Sequence, residues 1–331
     1  MIVSPRVSGR TLLVDGVPHP DTSDGAIADL LADPGAGFLW LDLVAGEDAN
    51  TGLLADVFRL HPLSVEDVGE FGQRPKVEDY DDYVYLVMFG AAGDDDEDRL
   101  AEVHLLAGER YLVTVHHDDC PTLGETGKRS AVHRRGGPRG PHLLYRVLDA
   151  LVDSFFPLLD EVDADIADIE EELDEQQANA TTRHSIFALR RRLVRIRRAV
   201  APARDQMARL SAGTIEVPGM GKEASRYFRD IEDHLIRITD TLDAYRDLLA
   251  GLTDVYLSTI SNRLNVVMKQ LSVVAGIFLP LTFLTGFFGQ NFGWMVKHVG
   301  GPGAFWGLGV ALQVVAAVVL GGDFPRRRLP C

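Results

Sequence analysis

Polar groups recur along one face of an otherwise apolar stretch in the C-terminal part of the chain. At three- and four-residue spacing the face reads Asn265, Met268, Leu271, Ala275, Leu279 and Thr282, then Gly286 and Gly289. Gln290 and Asn291 follow directly. Residues three and four apart share one side of a helix. An ordinary helix seam explains the spacing, but explains the amides and the hydroxyl less well. In a membrane such groups cost free energy unless they serve a ligand or a neighbouring helix. Repeated around a symmetry axis, each becomes a ring of oxygens, and oxygen donors suit hard divalent cations. Mg2+ sheds water reluctantly, so amide rings would hold its hydration shell rather than replace it. Rings of Met268 and Leu271 would close such a path by excluding water.

Carboxylates offer a second chemistry. The chain has 49 Asp and Glu against 33 Lys and Arg, a formal net charge of −16. Ten acidic residues fall between Asp160 and Glu175, at the end of a helical pattern over 142–177. The next helical stretch, Thr181–Leu210, carries nine arginines. One reading is an antiparallel hairpin whose two helices neutralise each other. The other is an acidic ring that collects cations, and both can hold. GDDDED at 93–98 reads as a solvated hairpin tip.

The elements that must position these groups divide the chain into unlike parts. Mean hydropathy is +0.01 despite the charge, so apolar residues must be concentrated somewhere. They lie in two uncharged runs of 19 residues, Leu271–Gly289 and Ala304–Gly322. A spanning helix needs about 20 residues, so the pair reads as a transmembrane hairpin. Lys269 precedes the first run and Arg326, Arg327 and Arg328 follow the second. The positive-inside rule then puts both termini in the cytoplasm and residues 291–303 outside. From Lys222 to Gly289 no strong stop signal interrupts the helical pattern, giving a stalk of 68 residues running into the first span. At 1.5 Å per residue that is about 100 Å, a length that calls for helical partners and for self-association around an axis.

The N-terminal part mixes signals. Strands are expected at Thr11–Val14, Gly37–Leu43, Tyr83–Phe89, Ala101–Leu106 and Tyr111–Val115, and helices at Ala49–Leu60 and Pro62–Glu70. A Gly/Pro/Arg-rich break at 119–140 ends this part. The expected organisation is therefore an α/β cytoplasmic domain (1–140), an acidic/basic helical hairpin (141–221), a stalk (222–270), a pore-lining span (271–290), an external loop (291–303), a second span (304–322) and a basic tail (323–331). The acidity argues against a nucleic-acid partner. No nucleophile–base spacing or P-loop supports an enzyme. Two cysteines, Cys120 and Cys331, make no disulfide framework, and no Cys/His metal spacing is present.

Several stretches in order resemble one family. They are WLDL (40–43), LHPLSVEDV (60–68) with QRPKVEDYDDYVYLV (73–87), LLYRVLDALVDSFF (143–156), the helix from Tyr227 to Leu271, and PLTFLTGFFGQN (280–291). Together with the two spans they resemble the CorA family of divalent-cation channels over nearly the full length. The resemblance implies an α+β cytoplasmic domain, an αβα sandwich, followed by long helices and a two-helix transmembrane hairpin, assembled as a homopentameric funnel in the plasma membrane. The first span of each subunit would line the pore. The family's Gly-Met-Asn signature, which selects the hydrated ion, falls on Gly289-Gln290-Asn291, with Gln290 in place of methionine. The resemblance implies Mg2+ as the transported and regulatory cation, with Co2+, Ni2+ or Zn2+ as further candidates. It also implies regulatory inter-subunit metal positions at Asp67 and Asp230, with Glu66 and Asp149 at a nearby second position. Cytoplasmic cation bound between such carboxylates would hold the pore closed. The loop FGWMVKHVGG holds Lys297 and His298 and no acid, which resembles the zinc-transporting ZntB branch. Two alternatives therefore stand beside a Mg2+ channel: proton-coupled Zn2+ transport, and a membrane-tethered cation sensor without transport.

Overall fold

The computed structural model of the chain describes residues 9–45, 49–92, 100–117, 120–132, 141–174, 179–221, 224–290, 292–299 and 301–323. It divides into two compact units, Met1–Thr253 and Asp254–Cys331.

The first unit is built on strands β1 (Arg10–Val14), β2 (Val17–Pro18), β3 (Leu39–Val44), β4 (Lys76–Asp79), β5 (Tyr83–Ala91), β6 (Leu100–Gly108) and β7 (Tyr111–His116). They form one sheet in the order β2-β1-β3-β7-β6-β5-β4. The pair β3–β7 is parallel, with Leu39 opposite Tyr111. The other neighbours run antiparallel, and β5 and β6 pair from Tyr83↔Gly108 to Ala91↔Leu100. Strand β5, YVYLVMFGA, is buried along most of its length. A strand covered on both faces reads as a continuous apolar run rather than an alternating one.

Successive side chains leave a strand on opposite faces. Leu41, Tyr85, Leu106 and Val113 meet α1 (Asp24–Ala32), a π-helical stretch (Leu53–Val57) following α2 (Ala49–Gly52), and α3 (Pro62–Gly69) through Ile27, Leu53 and Val68. On the opposite face α4 (Pro121–Val132) places Gly127 against Trp40. There α5 (Pro141–Asp153) approaches so closely that a Cβ on Gly90 would lie 2.7 Å from Leu151 Cδ2. Helices thus cover both faces of the sheet, the αβα arrangement expected.

Three expectations need correcting. The break at 119–140 contains α4; Pro121 suits its first turn, where no N–H is needed. The single helix over 142–177 is two helices, α5 and α6 (Phe155–Asp174), separated at Ser154. Pro157 lacks the N–H that would continue the ladder across that point, and Ser154 Oγ donates to Leu151 O and accepts from Ala91 N. The segment 291–303 is not loop throughout: it includes α9 (Gly293–His298).

Helix α7 (Ala180–Ser211) starts on an Asn179–Thr182 capping box and pairs with α6. Arg192, nearly buried, reaches Glu161 at 2.5 Å and Asp165 at 3.4 Å, and Thr182 donates to Glu172 at 2.6 Å. Mutual neutralisation of the acidic and basic helices is thus seen at Arg192. Helix α8 (Ala224–Phe288) runs 65 residues. Phe228, Ile231, Leu235, Ile238, Leu242, Leu249 and Leu252 bury one stripe of its first half, and none of the helix's own residues beyond Leu252 is buried.

The second unit holds the end of α8, α9, α10 (Pro302–Ala304), a π-helical stretch (Phe305–Ala311) and α11 (Leu312–Asp323). Helix α8 and the stretch Pro302–Leu320 are each long and apolar enough to cross a membrane. GDDDED at 93–98 and Arg326, Arg327 and Arg328 lie outside the described residues.

Candidate cation sites

Helix α5 presents His142, Tyr145, Asp149 and Asp153 at spacings of three and four, hence on one face. The first part of α8 presents Tyr227, Asp230 and His234 in the same way. The two faces meet as rungs. His142 Nε2 lies 2.9 Å from the Tyr227 hydroxyl, and the Tyr145 hydroxyl donates to Asp230 Oδ2 at 2.8 Å. His234 Nδ1 lies 3.0 Å from Asp153 Oδ1 and 3.9 Å from Asp149 Oδ1. The Phe156 ring packs edge-on against His234, with centroids 5.8 Å apart.

Among the described residues, Asp149, Asp153 and His234 are the group whose carboxylate and imidazole atoms could converge on one ion, all lying within 4.8 Å of one another. Asp149 Oδ1 is a buried atom that makes no hydrogen bond, and His234 Nδ1 has Asp153 Oδ1 beside it at 3.0 Å without hydrogen-bond geometry. Such atoms carry a desolvation cost until a partner arrives. Burial pushes the Asp149 carboxyl up to about 6, and the charges of Asp153 and Asp230 add to the rise while His234 opposes it. Burial, the hydrogen bond to Asp230 and the surrounding carboxylates likewise raise the Tyr145 phenol. A cation here would relieve this repulsion, so the donor set fits a divalent ion.

The expected regulatory residues are thus partly brought together. Asp149 and Asp230 share this cluster. Asp67, on α3, belongs to another: its carboxylate pairs with Lys76, which also reaches Glu78 at 3.1 Å. Glu66 is exposed on α3. Asp153 and His234 were not singled out from sequence. The only local signals are the four-residue steps from Asp149 to Asp153 and from Asp230 to His234.

In the second unit Asn265, Met268, Leu271, Ala275, Leu279 and Thr282 all lie within α8, so their spacing sets them on one face. That face is not covered by the chain itself: Leu271 is 68% exposed and Leu279 69%. Thr282 Oγ1 donates to Phe278 O at 2.8 Å, which satisfies the hydroxyl within the helix and leaves its oxygen able to accept. Gly289 ends the helix, its N–H bonded to Thr285 O at 2.9 Å. A Cβ on Gly289 would lie 2.9 Å from that same carbonyl oxygen, so the turn favours glycine. Gln290 N–H donates to Phe287 O at 3.3 Å. Asn291 lies outside the described residues.

Comparison with known proteins agrees with this architecture. The family model for the CorA-like Mg2+ transporter protein matches residues 35–324. The cobalt/magnesium transport protein CorA of Thermotoga maritima is 35% identical over 271 residues, 81% of this chain and 75% of that one. The zinc transport protein ZntB of Klebsiella pneumoniae is 32% identical over 269 residues, 80% of this chain and 78% of that one. The solved CorA magnesium transporter of Methanocaldococcus jannaschii superposes with a TM-score of 0.82 at 23% identity, covering 99% of both chains. A match that takes in the sheet, the long helices and both apolar runs makes this chain a member of the CorA-like Mg2+ transporter family, a family of membrane transporters for divalent cations.

Proposed function

We propose that the protein is a passive channel for hydrated Mg2+, assembled as a homopentamer with the apolar half of α8 around its axis. The observation that carries this reading is the polar face of α8, with Asn265 and Thr282 set among apolar side chains that the chain leaves uncovered. Five copies turn each of those groups into an oxygen ring, with Gln290 and Asn291 adding amides at the end of the helix. Met268 and Leu271 form the dewetting constriction. Both termini lie in the cytoplasm. There Asp149, Asp153, His234 and Asp230 sense the ion, and Asp67 with Glu66 faces a neighbouring subunit. Two carboxylates and an imidazole suit Co2+ or Zn2+ directly. Mg2+ binds the carboxylates and keeps several waters. Occupied sites hold the pore closed, and their loss lets repulsion loosen the assembly.

The test is Mg2+ flux into proteoliposomes. Wild-type protein should conduct and Asn291→Ala should not; equal flux from the two overturns the pore assignment. Gln290, the acid-free loop with Lys297 and His298, and the kinship with a zinc transport protein favour a second reading, proton-coupled Zn2+ transport. Zn2+ flux that ignores an imposed pH gradient removes it. Absence of flux for any divalent ion, with cation-dependent conformational change intact, would favour a sensor instead.

A further inference from the structure

Asp67 does not face water with its charge unanswered. Lys76, the first residue of β4, bonds its carboxylate, lies 3.1 Å from Glu78 Oε1 and sits 4.9 Å from the centre of the Tyr85 ring. The ammonium is therefore held from three sides: by α3, by its own strand and by a π face from β5. Burial favours the neutral amine, yet the bonds to Asp67 and Glu78 outweigh it and hold Lys76 above its ordinary value. It is a cation throughout the neutral range.

The backbone around this pair is fixed from behind. Gln73 Nε2 donates to Asp67 O at 2.7 Å and to Glu70 O at 2.8 Å. The N–H groups of Gly72 and Gln73 donate to Glu102 at 2.6 and 3.1 Å. Glu102 lies 3.2 Å from His104, whose other ring nitrogen meets the Tyr85 hydroxyl at 2.6 Å. Tyr85 and His104 are fully buried. The end of α3 thus cannot easily carry Asp67 away from Lys76. An incoming ion must displace the ammonium or share the carboxylate with it.

We propose that Lys76 is a tethered counter-cation that competes with divalent cations for Asp67, and so sets the concentration at which Asp67 is occupied. The proposal rests on the reading of Asp67 as a cation ligand. With the ion absent, Lys76 neutralises Asp67 and limits the carboxylate repulsion that would otherwise open the assembly. With the ion present, Lys76 retains Glu78 as a partner, so its displacement strands no charge. The site is tuned toward higher ion concentrations than bare carboxylates would be.

The direction of the effect separates competition from damage. Removing a residue that merely supports the site weakens binding, whereas removing a competitor tightens it. The full-length protein in detergent is titrated with Mg2+ and with Co2+, following cation-dependent protection from protease. Lys76→Met should lower the half-saturating concentration roughly three- to five-fold, the range expected for losing one partly exposed ion pair. Lys76→Arg, which keeps the charge, should stay near wild type. Asp67→Asn should raise the half-saturating concentration, and adding Lys76→Met to it should produce no further shift. If Lys76→Met leaves the midpoint unchanged or raises it while Asp67→Asn still weakens binding, Lys76 is no competitor and Asp67 remains a ligand. If Asp67→Asn moves nothing, the ligand reading fails and the proposal falls with it. Should Lys76→Met not fold, Lys76→Gln gives the same comparison.

Discussion

The two halves of α8 are one helix in two surroundings. In the first half Phe228, Ile231, Leu235, Ile238 and Leu242 form a stripe that the rest of its own chain buries, while Asp230, His234 and Arg237 occupy the other sides. Beyond Gln270 the helix is apolar on nearly every side, and Val274, Phe278 and Phe283 stay exposed. Periodicity separates them better than apolar content does. A stripe with a polar complement is completed within the chain. An all-round apolar surface is completed only by lipid or by other copies.

The largest effect should come from the buried stripe. Leu235→Ala is expected to destabilise the protein by about 2–5 kcal/mol in chemical unfolding of the detergent-solubilised chain, because it leaves a cavity in a packed core. Phe278→Ala, at a position 63% exposed in the single chain, should cost less in the same transition, because it leaves no cavity in the chain's own core. Equal losses would break the comparison. Next in size is one substitution placed in each half. Val274→Arg should cost about 2.5–3.5 kcal/mol in membrane insertion, read as protein lost from the membrane fraction. Ile236→Arg, exposed in the first half, should leave both insertion and folding within about 0.5 kcal/mol of wild type.

The smallest effect concerns the charged side of the first half. The Asp149 carboxyl is raised to about 6 in the fold, above its ordinary 3.8. Between those values the folded protein holds the proton more tightly than the unfolded chain. Without cation, stability therefore falls as pH rises from about 4 to 6, and the cost stays in place above that. A bound cation offsets that cost only when Asp149 is ionised. Stabilisation by Co2+ in thermal unfolding should be present above about pH 6, with affinity falling roughly tenfold per unit below it. Asp149→Asn should flatten this dependence. A wild-type profile with no break near 6 would remove Asp149 from the site.

The strands rich in β-branched and aromatic residues, β3 and β5–β7, were legible from sequence, as were the two apolar runs and the uninterrupted course of α8. Strand β4 was not, because KVED carries three charged residues of four and owes its place to pairing with β5. Helix α4 was hidden by Pro121, Gly124 and Gly127, residues that locally argue for a break; Gly127 is accommodated because it packs beside Trp40. The cation cluster was half legible. Asp149 and Asp230 followed from family resemblance, but Asp153 and His234 become ligand candidates only when α5 and α8 are laid face to face. No spacing within either helix encodes that meeting. The bond between Lys76 and Asp67 likewise joins a strand to a helix across a turn.

The parallel pairing of β3 with β7 also constrains how the domain assembles. Strands β4 to β7 follow one another as hairpins and can form a meander from local contacts. The β1–β3 segment is synthesised first, yet its pairing edge on β7 is made last, after the whole meander. Closing that long loop carries an entropic cost before any contact repays it. During synthesis β3 can pair with β1 while its other edge, along Leu39, Leu41 and Leu43, waits for β7, and an exposed apolar strand edge of this kind is prone to mispairing. The seam between β3 and β7 is the place where a slow folding step and a need for chaperone protection are expected.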